Sequence, residues 1–559
     1  MSLIKQMGLF AAATLLGVTA YTVASSPQPA DLLIRGGTVI DGTGLPRRRA
    51  DVAVKDGHIL VVGSHIEVTA AAVIDARGLI VAPGFIDAHN HSAASLAKPA
   101  DTTDLDIHLN ERYIRQGVTT VVGGPDGEIS PADLNSLLKA YRAAGVGTNV
   151  AYYVGHNAIR TEVMGQNQNR APTAEELERM RALVREGMQA GMVGLSTGLM
   201  YSPGLFSETD EVIALAKEVA PFHGIYESHV RDPHRALLQS DWEAIEIGRQ
   251  AGIPVDLTHL TTPGRSNRGL MEAVIGLVEN ARKHGVDVVS DQYPYNAVAV
   301  MQLWASLNYP RELNLHGRDD IRAALKDPVR RSRIERETIT GGESGFSQYK
   351  ASGPASLLIL VCPGCQSLEG KFISEIASAH QVSGFDAIAD LLINTRKDIV
   401  VSAGGCFEED VRTLMGEPWN MIASDGLPEG RPIREFSSEH PRSTGTYPRV
   451  LGVYVRELKL LTLEEAIRKM TSAPADFLGL EGRGRLAPGA AADLVIFDAD
   501  KVRDRSTWNE PLAAPVGIVD VIVDGRLVLR NNVMTGKAPG RYLHRGGGTD
   551  SLEPSHGQN

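Results

Sequence analysis

One feature of this 559-residue chain narrows its fold more than any other. From about residue 83 onward, short apolar runs alternate with stretches of helical periodicity. Strand candidates are the segment ending in His91 and then residues 118–122, 150–154, 192–196, 225–229, 255–259, 286–291 and 421–425. Residues 174–190, 209–220, 241–251 and 269–284 carry the amphipathic helical pattern between several of them. Eight buried strands interleaved with helices predict an α/β fold closed as a (β/α)8 TIM-type barrel rather than an open sheet. The interval between Asp291 and Asp425 is too long for one connecting helix. It predicts a helical insertion between strands 7 and 8, about residues 300–415, with helices near 321–336 and 370–395.

The two ends of the chain have a different texture. Leu32-Leu33-Ile34, Val52-Ala53-Val54 and His58 to Val62 are strand-like and are punctuated by Gly36-Gly37, Asp41-Gly42 and Asp56-Gly57 turns. Asp493 to Phe497, Val519 to Val523 and Leu527 to Leu529 repeat that texture, with Asp524-Gly525 as a hairpin turn. Residues 31–82 plus 484–545 are therefore expected to form one small β-sandwich from both ends, flanking a barrel over 83–483. Residues 1–24 read as a removable leader, with Lys5 before the apolar run Gly8 to Ala20 and small residues at Val18-Thr19-Ala20 and Thr22-Val23-Ala24. Export to the periplasm or the medium is the expectation, and an uncleaved membrane anchor is the alternative.

Composition removes some classes of function. A formal net charge of -11 without a basic stripe argues against nucleic acid as a partner, and 5% aromatic residues offer no stacking platform. Three cysteines are too few for a disulfide framework. Cys362-Pro-Gly-Cys365 could close a local disulfide in an oxidising compartment, but its turn-rich setting and the lack of a second CxxC favour an incidental loop.

Chemistry gathers at the ends of the strands. His89 and His91 are two residues apart on an extended segment, so their side chains leave the same face. Alone, such a pair is either half of a metal site or two solvent-facing histidines. In a barrel of this kind, functional groups collect at the carboxyl ends of the strands. Those ends also carry Asp126, His229, His259, Asp291 and Asp425. Four histidines and several carboxylates at strand ends, out of 16 histidines in the chain, read jointly as a metal centre.

From about Asp31 to Gly540 the chain resembles the amidohydrolase superfamily and, within it, the N-acyl-D-amino-acid deacylase (D-aminoacylase-like) branch. The resemblance rests on Ala82 to His91 (APGFIDAHNH), Gly117 to Val122, Gly194 to Leu199, Ser228-His229-Val-Arg231, Thr258-His259-Leu260 and Asp291 to Tyr295. Ser424-Asp425-Gly-Leu-Pro428, His440-Pro-Arg442, Gly445 to Arg449 and Gly489 to Val495 complete it. It implies that His89 and His91 hold one metal and that His229 and His259 hold a second. The cofactor is then a divalent metal, expected to be zinc, as one or two ions. Asp425 would take a proton from the attacking water and pass it to the leaving amine. Arg442 would pair with the substrate α-carboxylate, its other role being a surface salt bridge. Tyr201, Tyr293 and His156 lie in family-like motifs as further substrate contacts, or as packing.

Two departures stand out. Where the branch commonly has a cysteine ligand, this chain has Gly124-Pro-Asp126-Gly127, so Asp126 is either a carboxylate ligand or a turn residue. Where the branch usually carries a lysine after the His-Leu pair, Thr261 stands, which leaves the substrate class open. The expected reaction is metal-assisted hydrolysis of an N-acyl-D-amino acid or related small amide, with no stable membrane insertion once the leader is removed. A dipeptidase or a cyclic-amide hydrolase is the rival within the superfamily, the latter weakened because residues 192–197 lack a bridging lysine. An inactive barrel serving as a periplasmic binding protein is the rival from another class. The oligomeric state stays open.

Overall fold

The computed structural model describes residues 29–92, 108–313, 315, 317–342, 347–427 and 439–553. The expected leader at 1–24 lies outside them. Among the described residues, no helix is long and apolar enough to cross a membrane.

The barrel strands are β1 (Phe85–Asp87), β2 (Val118–Gly123), β3 (Asn149–Tyr152), β4 (Gly194–Gly198), β5 (Ile225–His229), β6 (Val255–Leu257), β7 (Val288–Gln292) and β8 (Asn420–Ile422). Every ladder between neighbouring barrel strands is parallel. The strands are buried on both faces, which is why they read as continuous apolar runs rather than as an alternating pattern. The ladders form two arcs that meet at two seams. At the first, the Asp425 N–H donates to the His89 carbonyl at 2.9 Å and the His91 N–H to the Gly426 carbonyl at 2.8 Å, joining β8 to β1. At the second, β3 bends at Tyr153, and the short strand Val154–Gly155 pairs with β4. Beside the lower part of β3 the C-terminal strand Arg541–Leu543 runs parallel, with Tyr542 opposite Val150.

Helices cover the barrel. One of them, Pro131–Ala144, begins where Ser130 and Asp133 form a capping box ahead of a proline at the first helical position. It buries Leu134, Leu137, Leu138 and Tyr141 against the barrel core.

The β-structure from the two chain ends is one continuous nine-stranded ladder. Its N-terminal and C-terminal parts join where Ile80–Pro83 lies antiparallel to Leu494–Phe497. Leu32, Ile34, Val52 and Val54 pack with Leu494, Ile496 and Ile522 on one face, while Leu33 and Ala53 form a separate cluster with Ile66.

The insertion between β7 and β8 contains more than helices. Besides Arg318–Lys326, Pro328–Thr340, Ile373–His380 and Gly384–Asn394, it holds an antiparallel sheet of Val300–Gln302, Leu358–Val361 and Val400–Ser402. It has its own core around Leu303, Ile334, Ile359, Ile373 and Val401. The helical stretch expected near 321–336 consists of two helices, separated at Asp327-Pro328, where the Asp327 carboxylate caps the second. Cys362 and Cys365 are also a correction: they form a disulfide rather than an incidental loop. Gly364, at φ +93°, folds the chain so that the two Cα atoms are 5.1 Å apart, within disulfide range.

Candidate metal centre

Five barrel strands deliver the centre. β1 continues into His89 and His91, β5 ends on His229, His259 follows β6, and Asp425 follows β8. Asp126 arrives from the turn after β2. That turn is pinned to β4, because the Ser196 hydroxyl donates to the Gly124 carbonyl at 2.6 Å and accepts from the Gly127 N–H at 3.1 Å. A Cβ on Gly198 would collide with the Asp126 carbonyl oxygen, so this close approach requires glycine there. Asp126, His259 and Asp425 all have positive φ, at 55°, 36° and 47°. Three non-glycine residues in this sparsely populated region at one barrel mouth are held there by their surroundings. The His259 N–H, for example, is fixed by Asp291 Oδ1 at 2.8 Å.

Asp126 occupies the middle. Its Oδ1 is 4.0 Å from His89 Nε2 and 3.8 Å from His259 Nε2, and its Oδ2 is 3.5 Å from His229 Nδ1. Asp425 Oδ1 is 3.0 Å from His91 Nε2 and 3.7 Å from His89 Nε2, while its Oδ2 faces Arg442 Nη1 at 2.7 Å. His89 Nδ1, His89 Nε2, His229 Nδ1 and Asp126 Oδ1 are buried without a hydrogen-bond partner among the described residues. Ligand atoms of three overlapping trios, His89–His91–Asp126, Asp126–His229–His259 and His89–His259–Asp425, fall within 4.8 Å of one another. Buried polar atoms that converge without bonding to each other fit a cation held between them.

Charge and burial oppose each other at every group. Burial pushes His89 down to about 3, leaving the neutral imidazole that a metal needs. Burial also disfavours charge on His91, but the Glu128 and Asp425 carboxylates outweigh it and hold His91 well above its ordinary value. Burial acts to raise Asp126 and Asp425, yet both stay well below the usual carboxylate range, Asp126 beside His229 and Asp425 beside Arg442.

Arg442 stacks over the Tyr293 ring at 4.6 Å, and its buried Nε has no hydrogen-bond partner among the described residues. Tyr201, 43% exposed, stands at the rim with its ring 4.5 Å from that of His229. The cavity over the centre, about 1070 Å³, is lined by Tyr201, His229, His259, Asp425 and Arg442. His156 is not part of it, which corrects the expectation from sequence. It lies one helical turn before Arg160 on His156–Met164, so both face Glu211, with His156 Nε2 2.9 Å from Glu211 Oε1.

Sequence reasoning missed several residues of the centre. Glu128 Oε1 lies 3.0 Å from His91 Nδ1, and Glu227 Oε1 lies 3.3 Å from His89 Nδ1. Asp87 accepts from the Ser424 N–H at 2.9 Å, tying β1 to the loop after β8. The signal was present: Asp87, Glu128 and Glu227 are each two residues from a strand-end group already singled out, and the strand period of two puts Asp87 and Glu227 on the functional face.

A parallel barrel that gathers histidines and carboxylates at the carboxyl ends of its strands defines the class of metal-dependent barrel hydrolases. The chain belongs to the amidohydrolase family, whose model matches residues 72–220 and 365–529. It is 35% identical to a D-aminoacylase of Alcaligenes xylosoxydans xylosoxydans over 549 residues, which covers 93% of this chain and 99% of the relative. Among solved structures it is similar to the N-acyl-D-glutamate deacylase of Bordetella bronchiseptica in complex with zinc and a phosphonate inhibitor. The TM-score there is 0.69 at 31% identity, covering 92% of this chain and all (100%) of the other. A D-aminoacylase structure described for its binuclear metal centre gives a TM-score of 0.70 at 32% identity, again covering 92% and 100%.

Proposed function

We propose that this protein hydrolyses the amide bond of N-acyl-D-amino acids at a centre of one or two divalent metal ions, with zinc the first choice. The observation that carries this reading is the convergence of unpartnered donor atoms from His89, Asp126 and His229 between strand ends. His89, His91, Asp126, His229 and His259 would hold the metal, which when bound polarises the scissile carbonyl and makes a water nucleophilic near neutral pH. Aspartate in place of a softer thiolate leaves the centre suited to zinc and tilts it toward harder ions.

The chain's own groups handle proton and substrate. The Asp425 carboxylate is anionic in the free enzyme, so it accepts the proton of the attacking water and returns it to the departing amine. Arg442 presents an unused Nε and a guanidinium fork for the substrate α-carboxylate, stacked in place by Tyr293. Engaging substrate draws Arg442 away from Asp425, which eases protonation of that carboxyl when the amine must leave. Tyr201 bounds the entrance beside His229. The relatives of like length, a D-aminoacylase and an N-acyl-D-glutamate deacylase, support amide substrates of D configuration. Thr261 supplies no cation for an acidic side chain.

We further read residues 31–82 plus 484–545 as the accessory domain, 83–483 as the catalytic domain and 1–24 as an export leader, giving a periplasmic or secreted enzyme. Mature protein beginning near Ser25 would bear out the leader. The reaction is tested by offering N-acetyl D- and L-amino acids and dipeptides to purified protein, with metal analysis and chelation alongside. D-selective release of the amino acid, lost with chelator and restored by zinc, is expected. Absence of hydrolysis with metal bound would sink the proposal.

A further inference from the structure

Beside the centre lies a second cavity of about 160 Å³. Tyr201, His229, His259, Val298 and Ala299 line both it and the main cavity, so the two adjoin at the ligand histidines. The remaining wall is mostly apolar, with Leu237, Leu257, Leu260 and Pro263 in it. Asp241 stands in that wall, on the buried face of the helix Leu237–Ala251. It is 0% exposed, and neither carboxylate oxygen has a hydrogen-bond partner among the described residues. Its neighbours on the same helix are paired: Glu243 with Arg231 at 2.8 Å and Glu246 with Arg249 at 2.6 Å. Among the described residues no lysine or arginine lines the cavity, and the Thr261 hydroxyl is engaged with Cys406 Sγ at 2.7 Å. His234 brings no charge, since burial pushes it down to about 4. Burial alone pushes Asp241 up to about 8.

We propose that this cavity is a specificity pocket for a linear alkylammonium group of the substrate, with Asp241 receiving the ammonium. The proposal rests on the amide-hydrolase reading above and names the substrate class within it. A buried acid without a partner is costly, and an arriving cation is what relieves it. Size agrees: about 160 Å³ holds about five water-sized groups of about 30 Å³ each, which matches an aminobutyl chain. The apolar wall suits the methylenes and the carboxylate suits the head. The ammonium can come from the amino-acid side chain or from the acyl group.

Zinc-loaded enzyme is given N-acetyl-D-lysine and its neutral near-isostere N-acetyl-D-norleucine, and in a second arm N-(5-aminopentanoyl)-D-alanine and N-pentanoyl-D-alanine. In one of the two arms the cationic substrate is expected to have a kcat/KM about tenfold or more above its neutral partner. In Asp241→Asn that ratio is expected to fall to about one. Neutral substrates preferred in both arms, or a cationic preference unmoved in Asp241→Asn, would overturn the pocket's assignment. N-acetyl-D-alanine serves as the check on the underlying reading. If it too is left intact, calorimetric titration of butylammonium into the metal-loaded wild type and Asp241→Asn still decides. Binding to the wild type alone supports the pocket, and equal or absent binding removes it.

Discussion

Two buried clusters of histidine and carboxylate face each other in kind. One, His156 with Glu211 and Arg160, sits between helices. The other, His89 with Asp126, His229, His259 and Asp425, sits at the barrel mouth. In the first, the acid is closed by direct bonds: His156 Nε2 is 2.9 Å from Glu211, and Arg160 clamps the same carboxylate while donating to the Gln168 and Arg170 carbonyls. His156 Nδ1 and Arg160 Nε have no hydrogen-bond partner among the described residues, but the Arg160 guanidinium offsets the Glu211 charge. In the second, His89 is 3.3 to 4.0 Å from four carboxylates and, among the described residues, makes no hydrogen bond through either ring nitrogen. Residue types are shared, and what separates structure from function is whether the groups satisfy one another or all point at a common space.

Substitutions can break that contrast. Asp425→Asn keeps the shape at the mouth but removes the proton carrier. It is expected to lower kcat per folded molecule on an N-acyl-D-amino acid about a thousandfold, about 4 kcal/mol of transition-state stabilisation, beside a fall in thermal midpoint because Arg442 loses its buried counter-charge. Near-wild-type turnover would contradict the role given to Asp425. Glu211→Ala inverts the pattern by leaving Arg160 buried without its counter-charge. A loss of about 3 kcal/mol or more in denaturant unfolding is expected, while activity per folded molecule persists. Should activity vanish with stability intact, His156 belongs to the site after all.

Glu227→Gln probes the edge of the centre. If Glu227 orients His89 through Nδ1, zinc affinity drops about 10- to 100-fold, read by competition with a chromogenic chelator. Unchanged affinity would leave Glu227 a bystander. The smallest effect expected is a pH slope. Asp241 titrates near 8 when folded and near 4 when unfolded, so the native state binds the extra proton between those values. Stability therefore falls as pH rises from about 4 to about 8 on account of this residue. Asp241→Asn should gain about 1 kcal/mol or more over wild type near pH 8 and little near pH 4, by thermal unfolding with the metal content held fixed. Parallel pH profiles would show that Asp241 has a partner.

Much of the barrel was legible because a buried parallel strand leaves a plain mark, a short apolar run, and because His89, His91, His229 and His259 close such runs. The helices of the insertion were legible from the length of the interval between Asp291 and Asp425, whereas its sheet was not: Val300–Gln302 and Val400–Ser402 are only three residues each. His156 was misplaced because its partner, Glu211, lies 55 residues away on another helix, where no local pattern reveals it. Glu227 could have been found from its spacing to His229. Asp241 could not, since a buried acid on a helix looks like any helical aspartate until the cavity around it is seen.

The seam between β1 and β8 has a consequence for how the protein matures. His91 and Asp425 are 334 residues apart in sequence, yet they come into contact only where the ring shuts. The centre thus cannot assemble on a growing chain until β8 has been made, and closing it carries the loop-closure entropy of nearly the whole barrel. A partly synthesised barrel can be well packed and still have no working site, so catalysis reports completion of the fold rather than its progress.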